Sequence, residues 1–330
     1  MLRDDFIAAC RYNHFSDRTI KSYWMFAKDF IFFNGKKHPE LMGNAEIVKY
    51  LIHLANEKKL SLSTQNLAFN ALSFLYKKVL KKHFRIAKDY RVKRPQLLPS
   101  VLSQSEVKTI IDLFEGTPKL ITELLYGCGM RKNEALKLRL NDIDLGNKII
   151  YIKSAKGNKD RIVPIPETLI AKLQNQILKV ENLYRRDLKH NYAGCVLPIS
   201  VENKNPQAAK ELKWQYLFPA KDLARQRWAS SSCRKRYHLH ESTYDKILHA
   251  VVIESGIKKR ISAHTFRHSF ATHMLEAGYN LRLIQELLGH SSITTTMVYT
   301  HVTQTQIKDY HSPLDAIAEK RELNIYRIPA

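Results

Sequence analysis

Apolar residues recur at helical spacing through the first ninety positions of the chain. Ile20, Tyr23, Ala27, Phe30 and Ile31 fall on one helical face, and the pattern stops at the turn pair Asn34-Gly35. A second run carries Ile47, Leu51, Leu54 and Ala55. A third, opening near Ser63 as an N-cap, carries Leu67, Ala71, Phe74 and Leu75. The spacing predicts three or four short helices forming a small helical domain.

A second pattern begins after residue 100. Ser103-Gln-Ser-Glu106 reads as a capping box ahead of Val107, Ile110, Ile111 and Phe114. Pro118 suits the first turn of the next helix, which is expected to end between Gly127 and Gly129, with a fresh helix from about Arg131. Lys148 to Lys153 alternates and is rich in Ile and Tyr, Lys156-Gly-Asn-Lys-Asp160 is a turn, and Arg161 to Pro166 reads as the return strand. The expected outcome is one hairpin among helices. Residues 183–243 lack a period and hold Trp214, Tyr216 and Trp228 among Gly, Pro and basic residues, so this stretch reads as an irregular, functional excursion. Helical pattern returns at 242–254, 265–276, 281–288 and 292–300.

Charge changes the picture. Fifty-four Lys and Arg against 31 Asp and Glu give 54 − 31 = +23 over 330 residues. So positive a field attracts polyanions, and nucleic acid is the expected partner. Between Lys77 and Arg94 stand nine basic residues (Lys77, Lys78, Lys81, Lys82, Arg85, Lys88, Arg91, Lys93 and Arg94) and one acid, Asp89, followed by Pro95 and Pro99. A solvated surface could also carry such a run. The interleaved Phe84 and Tyr90, and its place between two basic regions, favour a linker that contacts phosphates. The domain boundary is accordingly placed at about 95, giving a helical domain over 1–95 and a mixed α+β domain over 96–330. No apolar stretch reaches the length of a membrane span, and no signal-peptide core opens the chain, so a cytoplasmic protein associated with the nucleoid is expected. Cys10, Cys128, Cys195 and Cys233 share no metal-binding spacing and read as thiols.

Three separated places carry candidate chemistry. In Tyr126-Gly-Cys-Gly-Met-Arg131-Lys-Asn-Glu134, an arginine at the start of a helix follows two glycines, where its guanidinium can meet an anion. Taken alone, a surface arginine beside a glycine turn looks the same. Lys156 at a hairpin tip can reach a phosphate, as can any solubilising turn lysine. The third place is His264-Thr-Phe-Arg267-His268-Ser-Phe-Ala-Thr-His273, followed by Leu288-Gly-His290-Ser-Ser-Ile-Thr-Thr-Thr-Met-Val-Tyr299. His264 and Arg267 stand three apart on one helical face. The histidines lack the HExxH glutamate, so no metal is expected. Neither a phosphate-cradling GxxxxGK motif nor a two-metal acidic cluster is present, so no nucleotide or other cofactor is expected.

These motifs, in this order and spacing, resemble those of the tyrosine recombinases, and the similarity covers essentially residues 10–303. The resemblance implies a helical core-binding domain, a catalytic domain with a small antiparallel sheet, and strand cleavage and rejoining through a covalent 3′-phosphotyrosine. It implies Arg131 and Arg267 as the phosphate clamp, Lys156 as general acid, and His264 and His290 as phosphate ligands or acid–base partners. Tyr299 is the implied nucleophile, with Glu134 supporting the first motif. Met297 stands where many duplex-site relatives place a polar residue, and altered packing is expected there rather than lost chemistry.

Within the family the chain most resembles the integron integrases, which carry extra residues where 183–243 lies. That implies gene-cassette sites as substrates, one folded from single-stranded DNA and one double-stranded. Trp214, Trp228, Tyr237 and His240 are the candidates for stacking on extrahelical bases, with local core packing of the excursion as the alternative, and Arg234 is a further DNA-binding candidate. Four cleavages per exchange imply a homotetramer on two sites, and the chain after 300 is expected to pack on a neighbouring protomer. The alternatives are a Xer- or phage-type recombinase acting on duplex sites only, and a DNA-binding protein without activity.

Overall fold

The computed structural model describes residues 2–82, 100–153, 160–190, 192–225, 234–289 and 312–314. The chain divides into two compact units, Met1–Leu97 and Leu98–Ala330. The described part is mainly helical, with two small sheets in the second unit.

The first unit holds α1 (Leu2–Tyr12), α2 (Asp17–Phe33), α3 (Asn44–Asn56) and α4 (Leu62–Phe74). The Ile20, Ala27 and Phe30 positions of α2 are buried, as are Ile47, Tyr50 and Leu54 of α3 and Ala68, Ala71 and Leu72 of α4. Phe6 of α1 meets Phe74 edge-on, and Phe15 and Tyr23 join the same aromatic cluster. The cap of α4 is Ser61, two residues before the expected Ser63, because it is the Ser61 hydroxyl that accepts from the Thr64 backbone N–H. A π-helical turn, Leu75–Val79, extends α4. It buries Tyr76, whose hydroxyl lies 3.1 Å from the carbonyls of both Pro39 and Met42, and leaves Lys77, Lys78, Lys81 and Lys82 exposed.

In the second unit, α5 (Gln104–Leu113) opens on the capping box of Ser103 and Glu106, and α6 (Gly116–Gly127) contains Pro118 in its first turn. α7 (Lys132–Leu136) follows, with Arg131 as its N-cap. The expected hairpin is there with an extra strand. β1 (Ile143–Asp144), β2 (Ile149–Ile152) and β3 (Arg161–Pro164) form an antiparallel sheet in the order β1-β2-β3. Two residues are too few to leave a period, which is why β1 was not visible in the sequence.

The excursion is not structureless. α8 (Glu167–Leu188) runs into its start, and β4 (Tyr192–Cys195), β5 (Ala224–Arg225) and β6 (Arg234–Arg236) form a second sheet in the order β4-β6-β5, with β4 and β6 parallel. The short α9 (Ile199–Lys204) lies between β4 and β5. Strands this short, paired across about forty positions, carry no local signal. α10 (Glu241–Glu254), α11 (Ala263–Glu276) and α12 (Leu281–Leu288) complete the unit. Phe266, Phe270 and Met274 of α11 are buried in the same core as Leu124 and Leu125 of α6.

Residues 312–314 dock on their own catalytic unit. The Ser312 hydroxyl donates to the Gly127 carbonyl at 2.9 Å, and Leu314 is part of the unit's core. In the single chain these three residues take an intramolecular seat, while the expected packing on a neighbouring protomer concerns the assembled complex.

Gly129 is the tightest constraint in the turn after α6. Its φ is +60°, and a Cβ there would lie 2.7 Å from the Phe270 ring. Gly278 has φ +86° with nothing within 4 Å of an added Cβ. Gly278→Ala is therefore expected to cost only the left-handed strain, about 1 kcal/mol. Gly129→Ala adds overpacking of about 1–3 kcal/mol, for a total of about 2–4 kcal/mol. Urea denaturation of the two full-length variants measures the difference, and equal losses would contradict the packing argument.

Candidate active site

A short helix with an arginine at its cap builds one wall of the site. Arg131 has extended backbone angles, which frees its N–H to meet the Glu134 carboxylate at 2.8 Å, while the same carboxylate accepts from Arg131 Nη1 at 2.7 Å. The Arg-Lys-Asn-Glu spacing is what closes this loop, since residues i and i+3 share a face. Lys132 turns the other way and donates to Asp245 of α10 at 2.7 Å.

α11 supplies the second wall. Arg267 is buried; Nη1 donates to the Gly129 carbonyl at 2.6 Å and Nη2 to the Leu288 carbonyl. Its Nη1 also stands 4.0 Å from Glu134 Oε2, so Arg131 and Arg267 converge on one carboxylate. His264 lies one turn earlier on the same helix and is exposed. Burial first, then the neighbouring His268, Arg267, Arg131 and Lys132, lower its pKa below the ordinary histidine value. The shift favours the uncharged imidazole.

A third guanidinium completes the cluster, and sequence reasoning missed it. Arg161, the first residue of β3, donates Nη1 to Glu134 Oε1 at 3.0 Å and Nη2 to Oε2 at 2.6 Å, with Nε on the Leu287 carbonyl at 2.7 Å. The signal was present in the strand: Arg161 and Val163 are buried while Ile162 is exposed, so the charged residue takes the inward place that an apolar residue normally takes.

The end of α12 is the third wall. The carbonyls of Leu287, Leu288 and Gly289 accept from Arg161, Arg267 and Arg131 respectively, the last at 3.3 Å. A helix C-terminus leaves its last carbonyls without intrahelical partners and carries partial negative charge. Here three guanidiniums fill that vacancy, and Gly289 at φ +60° turns the chain away. Burial raises the Glu134 pKa, but bonds and charge from Arg161, and bonds from Arg131, outweigh it and bring the carboxyl down to about 2. Three guanidiniums share that one carboxylate. The excess positive charge is partly buried, which suits an arriving phosphate.

Lys156, His290 and Tyr299 lie outside the described residues, as do Arg85, Lys88, Arg91, Lys93, Arg94 and Trp228. Of the excursion candidates, Trp214 is half-buried in a local cluster with Cys195 and Tyr216. Arg139 organises that cluster. Its guanidinium lies 4.2 Å from the Tyr216 ring centroid and donates to the carbonyls of Trp214 and Val196 at 2.6 and 2.7 Å. His240 caps α10 through Nδ1, which accepts from the Ser242 N–H at 3.2 Å, and its ring is exposed. Arg234 is exposed and Tyr237 half-buried, whereas Arg236 is buried against the Asp187 carboxylate. Cys10, Cys128 and Cys195 are buried and form no disulfide. His273 is buried with Nδ1 2.8 Å from the Tyr126 hydroxyl, so it does not join His264 and His268, and no group of three potential metal ligands occurs among the described residues. No described helix is long and apolar enough to cross a membrane.

The phage integrase family matches residues 100–306, and the N-terminal SAM-like domain of phage integrases matches residues 2–86. An integrase/recombinase of Escherichia coli is 38% identical over 308 residues, covering 93% of this chain and 91% of that protein. A tyrosine recombinase of Pseudothermotoga lettingae is 30% identical over 301 residues, covering 88% and 90%. The fold is shared with the Tn1549 transposon integrase in complex with transposon right end DNA, at 14% identity and a TM-score of 0.60 over 98% of this chain and 99% of that one. It is shared also with the XerH recombinase bound to its difH substrate, at 22% identity and a TM-score of 0.55 over 88% and 77%. The chain belongs to the phage integrase family and is a tyrosine recombinase.

Glu134 makes the cluster pH-sensitive in a defined direction. Its folded pKa of about 2 lies below the ordinary 4.5, so its stabilisation is complete above about pH 4.5 and is lost as pH falls towards 2. The shift corresponds to about 3 kcal/mol. Denaturation of wild type and Glu134→Gln across pH 2–7 should show a stability gap near neutrality that closes over that acid window. A gap unchanged by pH would contradict the assignment.

Proposed function

We propose that this recombinase cleaves and rejoins DNA at specific sites through a covalent 3′-phosphotyrosine on Tyr299. The observation that carries this reading is the convergence of Arg131 and Arg267 on one buried carboxylate from places far apart in the chain. Two guanidiniums suit the non-bridging oxygens of a phosphorane, offering paired donors that stay charged at neutral pH. Burial, with the charges of Arg131 and Arg161, lowers Arg267 to about 9, which still leaves it cationic at neutral pH. An incoming phosphate competes for the Arg131 donor that otherwise rests on Gly289, the longest of the three arginine–carbonyl bonds.

In the proposed reaction the Tyr299 oxygen attacks the scissile phosphorus, and the bond to the 5′-oxygen breaks. Lys156 gives that oxygen its proton, so the products are a 3′-phosphotyrosine and a 5′-hydroxyl. His264 and His290 act as phosphate ligands or acid–base partners. The 5′-hydroxyl of another strand reverses the step, and the phosphodiester energy is conserved without nucleotide or metal. The working unit is a homotetramer on two sites in the cytoplasm. The exposed lysines Lys77, Lys81 and Lys82, with Arg85, Lys88, Arg91, Lys93 and Arg94, contact phosphates.

The finer reading is an integron-type integrase that handles gene cassettes at folded single-stranded and double-stranded sites. What supports it is the excursion: Arg139 and the second sheet give it a core of its own, while Arg234, Tyr237 and His240 remain at least partly accessible. A duplex-only reading also has support. A tyrosine recombinase XerD of Listeria monocytogenes is 29% identical over 90% of this chain.

Incubating full-length protein with a nicked suicide substrate should give a covalent, SDS-resistant adduct that Tyr299→Phe abolishes. Arg267→Ala should slow its formation by about 10²–10³-fold. An adduct that survives Tyr299→Phe would overturn the mechanism. A binding assay separates the two subtypes: the integron reading expects a folded hairpin with bulged bases to bind, and fails if only the duplex core site does.

A further inference from the structure

We propose that Arg161 is a positioning residue for the phosphate clamp, acting through Glu134 and the end of α12 rather than by touching DNA. This rests on the recombinase mechanism proposed above. The guanidinium is buried, with 5% of the side chain exposed, and its hydrogen bonds run to protein groups on two sides. Two of them grip both oxygens of Glu134, the carboxylate that orients Arg131; the third fixes the Leu287 carbonyl, one residue before the carbonyl that Arg267 holds. An added Cβ at Gly289 would lie 3.0 Å from Arg161 Cδ, so the turn after α12 sits directly on this side chain. One planar fork thus registers β3, α7 and α12 against each other, and the two clamp arginines inherit their spacing from it. Lysine offers the same charge as a point, without the fork.

The test is single-turnover cleavage of the nicked suicide duplex by full-length Arg161→Lys at saturating protein. The expected result is a rate about 10–100-fold below wild type, with DNA affinity within about twofold, the size of loss a misplaced clamp produces. The decisive measurement repeats the reaction on a substrate whose scissile phosphate is a methylphosphonate. That linkage lacks one negative non-bridging oxygen and depends less on the clamp. The Arg161→Lys defect should shrink on it at least severalfold, in parallel with Arg131→Ala. Because the two rates come from the same preparation, partial unfolding cancels in their ratio. Wild-type cleavage by Arg161→Lys, or a defect equal on both linkages, overturns the positioning role while leaving the Tyr299 adduct intact. Failure of wild type itself to form the adduct overturns both readings.

Discussion

The catalytic unit depends on one buried carboxylate that cannot satisfy all the charge around it. Glu134 binds Arg131 and Arg161 directly and lies near Arg267, so guanidiniums outnumber it three to one. Burying excess cation is costly unless dipoles replace the lost water. The end of α12 provides them: three successive carbonyls, each with one arginine, at the negative pole of a helix. The arrangement answers two needs with one set of bonds. The helix end acquires donors for its orphan carbonyls, and the arginines acquire fixed positions before any phosphate arrives.

The rest of the unit follows from holding that cluster still. Gly129 lets the chain pass against Phe270 closely enough for its carbonyl to reach Arg267. Lys132 ties α7 to α10, and the core shared by α6 and α11 sets the distance between the first two walls. The sheet brings Arg161 in from a third direction. Preorganisation of this kind matters more than any single bond, since a clamp that must reorganise as charge develops loses much of its effect.

Local features were legible in the sequence and long-range ones were not. The capping box at Ser103, the helix start at Arg131, the helix over 281–288 and the shared face of His264 and Arg267 all depend on residues within a few positions of one another. In the sequence Arg161 stands out only as a strand residue, because its partners Glu134 and Leu287 lie 27 and 126 positions away. Arg139 escaped for the same reason. It is an arginine with a tryptophan and a tyrosine for neighbours, and those neighbours come from the excursion. Trp214 shows the converse hazard: an aromatic in a basic, irregular stretch reads as a DNA contact, yet it is half-buried beside that arginine.

The way the excursion is fastened has an evolutionary corollary. Backbone bonds from Leu140 to Gln215 and from Leu217 to Leu138 stitch its middle to the chain just beyond α7, and Lys153 at the foot of β2 pairs with Asp142 beside the same seam. The polypeptide between Lys189 and Trp214 therefore begins and ends on scaffolding that is anchored elsewhere. Its outward surface can change over generations without disturbing the arginine cluster, whose bonds run to Gly129, Glu134 and the end of α12.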